Sequence, residues 1–315
     1  MRIIITGSSG FIGYHLSCEL LKKKHEIIGI DNNNNYYSRA IKDKRANKLK
    51  KNKNFKFYKI NIVNEKKLEK IFLKHRPEII FHLAGQPGVL YSLKYPKSYL
   101  INNVKATQSI CKISKKYSIK KFVFGSSSSV YGDQKTFPIR ETFKENPKNP
   151  YAKTKLASEK IIEKSFKKTD INYIIFRFFT VYGPFGRPDM FIHKFLNLIK
   201  KNKKIKLYNG GLNFRDFTYV DDVVKILLKN LNITPRKKIY NICRSKPIKT
   251  SHLVYLIEKI FGKSIKIQKI GFVKGEMLKT HGCNNLLKRN FKSIKFTDIK
   301  NGLKKTIAFY KKYGY

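Results

Sequence analysis

The chain has 315 residues, ample for a large core, and carries 69 Lys+Arg against 20 Asp+Glu, a formal charge of +49. Its 41% hydrophobic content is that of a globular chain, and no run approaches the roughly 18–20 apolar residues that span a bilayer. The cysteines Cys18, Cys111, Cys243 and Cys283 form no CxxC pair, which excludes a disulfide framework or a cysteine-built zinc site and suits a reducing cytoplasm.

In chain order, short apolar runs at 2–6, 26–31, 56–61, 78–83 and 120–126 read as strands, with helical stretches at 11–24, 65–75 and 98–117 between them. The first run begins at Arg2, so no cleaved leader is expected. The polar, basic segment 32–54 reads as a surface loop with a short helix. Alternating strands and helices predict an α/β fold with a doubly wound parallel sheet, covered on both faces. A sixth strand is expected at 173–178, in an apolar stretch interrupted by Arg177. Gly183, Pro184, Gly186 and Pro188 then mark a turn-rich excursion. A helix at 189–202, a strand at 205–208, a Gly210-Gly211 turn and a helix at 220–231 follow. The tail carries a helix at 251–261, a strand at 264–268 and a last helix at 298–312, expected to form a smaller cap.

Gly7, Gly10 and Gly13 stand in TGSSGFIG between the first strand and first helix, spaced GxxGxxG. Gly7 permits a tight turn, Gly10 a close approach of pyrophosphate, and Gly13 helix–strand packing. The second strand ends in Asp31, whose carboxylate can accept both ribose hydroxyls and would repel a 2′-phosphate, which selects NAD over NADP. Tyr151 and Lys155 form a YxxxK pair on one helical face, where an ammonium favours the phenolate and makes the pair a proton shuttle. The serine tract 126–129 follows the fifth strand at its carboxyl end, where ligands bind in such sheets. His82 reads as a structural or cofactor-adjacent histidine, Asp221-Asp222 as a helix cap, and His281 with Cys283 as too sparse for a metal site.

These segments resemble the extended short-chain dehydrogenase/reductase superfamily, in its nucleotide-sugar epimerase/dehydratase branch, and most closely the UDP-glucuronate 4-epimerase family. The resemblance rests on TGSSGFIG (6–13), IDNNNNYY (30–37), HLAGQPGVLYSL (82–93), SSSSVYG (126–132), YAKTK (151–155), RFFTVYGPFGRPDM (177–190) and FRDFTYVDDV (214–223). It implies a Rossmann domain over 1–180, with 217–248 returning to it, and a substrate-binding cap from 181–216 and 249–315. It further implies that Tyr151 takes the proton of the sugar 4-hydroxyl, with Ser127 bridging and Lys155 holding the phenolate. Hydride leaves C4 for NAD, and the 4-keto sugar turns and receives it on the other face. Gly7, Gly10, Phe11, Ile12, Gly13, Asp31, Asn32, Asn61, Ile62, Leu83, Ala84, Gly85, Tyr151 and Lys155 would hold the cofactor. Ser127, Ser128, Thr180, Arg187, Leu207, Tyr208 and Arg215 would meet the UDP-sugar, Arg187 through the hexuronate carboxylate. Arg215 could instead pair with Asp216 or Asp221. A homodimer built on the helix at 98–117 and the helix holding Tyr151, and a cytoplasmic location, are also implied; no metal is.

Dehydratases of this branch carry an Asp-Glu pair where Ser128-Ser129 stand, so hydroxyls here point to proton-neutral epimerisation. Three features depart from the pattern: Leu90 where uronate epimerases often have Arg, Asn61 where many relatives have Asp, and Cys243 in place of a small Gly. The segment 275–285 keeps only the family's outline. A 4-epimerase of a neutral UDP-hexose therefore stays open.

The charge raises a third reading, a polybasic nucleic-acid or membrane-surface binder on an inactive fold. Its texture opposes this: 58 Lys against 11 Arg, spread along the whole chain, whereas base-reading surfaces favour Arg. No specific nucleic-acid partner is expected. The charge does predict retention on an anionic matrix at low salt, and a kcat/KM toward anionic substrates that falls as salt rises. Initial rates across a salt series check this.

Overall fold

The computed structural model describes residues 1–234, 238–271 and 277–314. Of the divergent segment 275–285, Gly275 and Glu276 lie outside the described residues. The first half runs β1 (Arg2–Thr6), α1 (Phe11–Lys22), β2 (Glu26–Asp31), α2 (Arg39–Lys50), β3 (Phe55–Lys59), α3 (Glu65–His75), β4 (Ile79–His82), α4 (Val89–Lys94), α5 (Pro96–Tyr99), α6 (Ala106–Lys116), β5 (Lys121–Ser127), α7 (Pro150–Phe166) and β6 (Asn172–Phe178). The second runs β7 (Thr180–Tyr182), α8 (Phe191–Lys200), β8 (Ile205–Tyr208), β9 (Phe214–Arg215), β10 (Phe217–Tyr219), α9 (Val220–Lys229), β11 (Ile239–Ile242), β12 (Ile248–Lys249), α10 (Thr250–Phe261), β13 (Ile267–Ile270), α11 (Asn285–Asn290) and α12 (Ile299–Tyr313).

Seven strands form one sheet in the order β11-β6-β5-β4-β1-β2-β3. β1 pairs in parallel with both β2 and β4, placing Ile4 opposite Ile28 and Ile80. Ile3, Ile4, Ile5, Ile80, Phe81, Phe122 and Val123 are all buried, as strands covered on both faces require. One face packs against Leu68 and Phe72 of α3, Ile110 of α6, and Ile162 and Phe166 of α7. The order reverses between β1 and β4, which opens the crevice where such sheets bind ligands, at their carboxyl ends.

The chain divides into two compact units, 1–132 with 143–177 and 227–240, and 133–142 with 178–226 and 241–315. The second unit has its own core, in which Phe195, Leu196 and Ile199 of α8 meet Leu253 and Ile257 of α10 and Leu303 and Ile307 of α12. No helix of the described residues is long and apolar enough to cross a membrane.

Two expectations change. The segment 32–54 is not simply surface loop: α2 buries Ile41, Arg45, Ala46 and Leu49, so a basic sequence hides a packed stripe. The expected helix at 98–117 is interrupted over Leu100–Lys105 by a π-helical turn. That turn buries Asn103, whose amide donates to the Gln86 carbonyl (3.2 Å) and to Thr154 Oγ1 (3.0 Å) and whose Oδ1 accepts from Gln86 N (2.7 Å). A wide turn that re-aims one polar side chain is a common use of a π-bulge. The strands β7, β9, β10, β11 and β12 are short additions that periodicity did not reveal.

Phe122→Ala, in the middle of this sheet, is expected to cost about 3–5 kcal/mol of stability through lost burial and a residual cavity. Denaturant unfolding measures it.

Candidate active site

In the first unit, the carboxyl-terminal residues of β1, β2, β4 and β5 are Thr6, Asp31, His82 and Ser127. After β1 the chain turns at Gly7, where φ is +72° and an added Cβ would lie 2.8 Å from the Ala84 nitrogen. A Cβ on Gly13 would stand 2.2 Å from the Gly7 carbonyl oxygen, so α1 packs against the loop as only glycine allows. Phe11 is buried, and α1 has no side-chain cap and no acid in its first turn. Its N-terminal N–H groups and positive dipole end are therefore suited to an anion. Ser8 Oγ and Ser9 Oγ are buried beside it without a hydrogen-bond partner.

Asp31 accepts from Ser9 N (3.1 Å) through one oxygen and from Asn33 N (2.9 Å) through the other. Burial pushes its pKa up; the two N–H groups, Lys42 and Arg45 pull against this. The fully buried Arg45 holds the loop from behind, donating to the Ser9 carbonyl (2.9 Å) and to Tyr37 Oη (2.7 Å). Ala84 N donates to Thr6 Oγ1 (3.2 Å), which ties the 83–85 segment to the end of β1. Asn32 accepts from Asn34 N, and Asn61 is exposed after β3 and accepts from Val63 N, while Ile62 is buried. The glycine cradle, the uncapped helix end, the two orphaned hydroxyls and Asp31 fit a dinucleotide.

Tyr151 and Lys155, the expected proton-shuttle pair, stand on α7. Pro150 begins the helix and the Asn149 side chain caps it, accepting from Ala152 N at 2.9 Å, so Tyr151 falls in the first turn. Lys155, one turn on, is buried and donates to the Gly125 carbonyl at 2.6 Å, with its ammonium 4.5 Å from the Phe124 ring centroid. Burial lowers its pKa to about 8, while Glu159 pulls upward. Tyr151 is half-buried, with its ring edge-on to Tyr99. Ser127 and Ser128 are half-buried; Ser127 Oγ accepts from Ser129 N (3.2 Å) and Ser129 Oγ (3.0 Å). Ser126 points the other way and donates to Glu159. The bond from Lys155 to Gly125 thus ties α7 to β5 two residues before Ser127.

In the second unit, Thr180 N donates to the Asp216 carbonyl (3.2 Å) beside Arg215. Arg215 donates to the Phe214 carbonyl at 2.9 Å. Asp216 accepts from Ser245 N and Gly282 N, both at 3.1 Å, and burial pushes its pKa up to about 7. Arg187 lies in the glycine- and proline-rich turn and donates from Nε to Asp189 Oδ1 (3.0 Å) and from Nη2 to Asp189 Oδ2. Tyr208 is half-buried at the end of β8, whereas the Leu207 side chain is part of the second unit's core. Cys243 is accommodated opposite Gly282, where a Cβ would lie 2.6 Å from its sulfur. Asp222 accepts from Thr297 N (2.6 Å) and Thr297 Oγ1 (2.9 Å), pinning α9 to the segment before α12. The described residues contain no cluster of three or more potential metal ligands.

Sequence reasoning missed Asn103, Arg45 and Glu159 and gave Arg177 no role of its own beyond opening the motif 177–190. Glu159 was findable, since it continues the 151–155 spacing by another four residues on the same helical face. Asn103 had no such signal.

Residues 3–243 match the NAD dependent epimerase/dehydratase family. A UDP-glucuronate 4-epimerase from Thermodesulfobacterium geofontis is 34% identical over 310 residues, 98% of this chain and 95% of that one. The crystal structure of UDP-glucuronic acid 4-epimerase from Bacillus cereus in complex with UDP-glucuronic acid and NAD superposes with a TM-score of 0.93 at 30% identity, covering 99% of each chain. UDP-glucose 4-epimerase from Thermotoga maritima with UDP-glucose gives a TM-score of 0.90 at 28% identity over 99% of each chain.

His82 yields a stability prediction. It is buried between Thr6 Oγ1 (2.8 Å) and Thr107 Oγ1 (3.2 Å), and burial, then Lys155, lowers its pKa from 6.5 to about 3. Between those values the unfolded chain binds the proton and the folded chain does not. The stabilisation is complete above pH 6.5 and is lost as pH falls toward 3, at up to about 1.4 kcal/mol per pH unit. Unfolding free energies of wild type and His82→Gln across this range should differ in slope by one proton.

Proposed function

Because the chain belongs to the NAD dependent epimerase/dehydratase family, we propose that it is an NAD-dependent UDP-sugar 4-epimerase interconverting UDP-glucuronate and UDP-galacturonate. The observation that carries this reading is the buried Lys155, bonded at the foot of the serine loop one turn from Tyr151, with hydroxyls at 128 and 129. The first unit is the cofactor domain: Gly7, Gly10, Phe11, Ile12 and Gly13 receive the pyrophosphate, and Asp31 with Asn32 receives the adenosine ribose. Asn61 and Ile62 flank the adenine, and Leu83, Ala84 and Gly85 line the way to Tyr151 and Lys155. When bound, the nicotinamide supplies reversible hydride transfer at sugar C4.

The chain's own residues manage the proton. Tyr151 accepts it from the C4 hydroxyl with Ser127 bridging, and returns it when the opposite face is reduced. Lys155, held by Gly125, keeps a positive charge beside the phenol. Ser128 and Thr180 orient the sugar, Arg187 meets the carboxylate, and Leu207 (through its backbone), Tyr208 and Arg215 receive the uridine diphosphate. The protein acts as a cytoplasmic homodimer through the helical stretch 98–117 and α7; exposed Leu100 and Ile101 (49% and 40%) on the first of these support it.

Purified protein given UDP-glucuronate without reductant should produce UDP-galacturonate, seen as a new anomeric NMR signal. Conversion of UDP-glucose but not UDP-glucuronate would establish the neutral-hexose reading, which Leu90 and the Arg187–Asp189 pairing favour. Tyr151→Phe should lower kcat by about 10²–10⁴-fold. Activity should fall as pH rises through about 8, where Lys155 loses its proton. Arg187→Ala should raise KM for the uronate about 10–100-fold through loss of a charged hydrogen bond, and leave a neutral hexose nearly unaffected.

A further inference from the structure

Behind the serine loop lies a buried polar chain that the proton relay does not use. Ser126, Glu159 and Arg177 are 3%, 2% and 0% exposed. The Ser126 hydroxyl donates to Glu159. Arg177 donates to Glu159 from Nε (3.1 and 3.3 Å) and Nη2 (2.6 Å), and from Nη2 to Glu145 (2.6 Å), with its guanidinium 4.7 Å from the Tyr131 ring centroid.

The arrangement is a second rung between β5 and α7. Lys155 bonds to the Gly125 carbonyl; one residue along the strand and four along the helix, Glu159 bonds to Ser126. The next strand residue is Ser127. Apolar side chains would fill this space without the desolvation cost of a buried ion pair. What they would lack is direction: a carboxylate held on one side by a guanidinium offers its oxygen to the serine at one place only.

We propose that Glu159 is a positioning residue of the reaction, setting through Ser126 where the Ser127 hydroxyl stands relative to Tyr151. The inference rests on the proposed relay through Ser127, Tyr151 and Lys155.

Ser126→Ala tests it by removing the rung while leaving the ion pair intact. With UDP-glucuronate, kcat should fall about tenfold, in line with small misplacements of reacting groups. KM should stay within about twofold, Tm should barely change, and the solvent deuterium isotope effect on kcat should rise as proton transfer becomes limiting. Glu159→Gln should show the same kinetic signature together with a lowered Tm. A Ser126→Ala enzyme with wild-type kcat, or one slowed without a change in isotope effect, would overturn the inference alone. A wild-type protein that epimerises no UDP-sugar would overturn the functional reading with it.

Discussion

The buried ion pair between Arg177 and Glu159 is the constraint that fixes how the first unit's strands and α7 meet. It joins the sixth strand to α7, and through Ser126 it reaches the end of the fifth strand. Burial alone would lower the Arg177 pKa, but the Glu159 carboxylate more than offsets it and holds the guanidinium charged. Such a pair adds little net stability, yet breaking one side leaves a buried charge uncompensated, at a cost of about 3–5 kcal/mol. Its geometry is therefore strongly enforced, and the elements that carry Ser127, Tyr151 and Lys155 inherit that precision.

The cofactor cradle is built on the same economy of close contacts. Gly7 and Gly13 bring the loop and helix to distances no side chain would allow. Arg45 then braces the loop from the far side, and Thr6 and His82 brace it from the sheet. Positive charge is thus spent in two ways in this chain. A few buried cations (Arg45, Lys121, Lys155, Arg177) each hold specific oxygens, while most lysines remain on the surface. The surface charge adds a long-range field attractive to anions; the buried cations determine shape.

Much of the fold was legible because strand periodicity, glycine spacing and the acid ending the second strand are local signals. The first five strands and the first and third helices follow from them. Where the reading failed, nonlocal contacts had decided. Arg45 lies in a basic, hydrophilic segment, and only its partners at residues 9 and 37 explain why it is buried. The helix at 98–117 carries no proline or glycine to announce a π-turn; the pull on Asn103 from residues 86 and 154 accounts for it. Leu207 sits in a motif that resemblance assigns to substrate, but alternation along β8 turns its side chain into the core.

The sequence by itself determined the strands of the sheet, the glycine loop after β1 and the placing of Tyr151 and Lys155 one helical turn apart, because glycine spacing, a terminal acid and a YxxxK pair act over a few residues. Only the tertiary structure decided that the serine tract is divided, with Ser126 turned inward to Glu159 and Ser127 and Ser128 left half-buried. Successive residues of a strand point to opposite faces, and which face meets a buried carboxylate depends on a helix residue 33 positions away. The +49 charge of the chain says nothing of this, because charge is a property of the whole surface and this division of the tract is set by a handful of buried bonds.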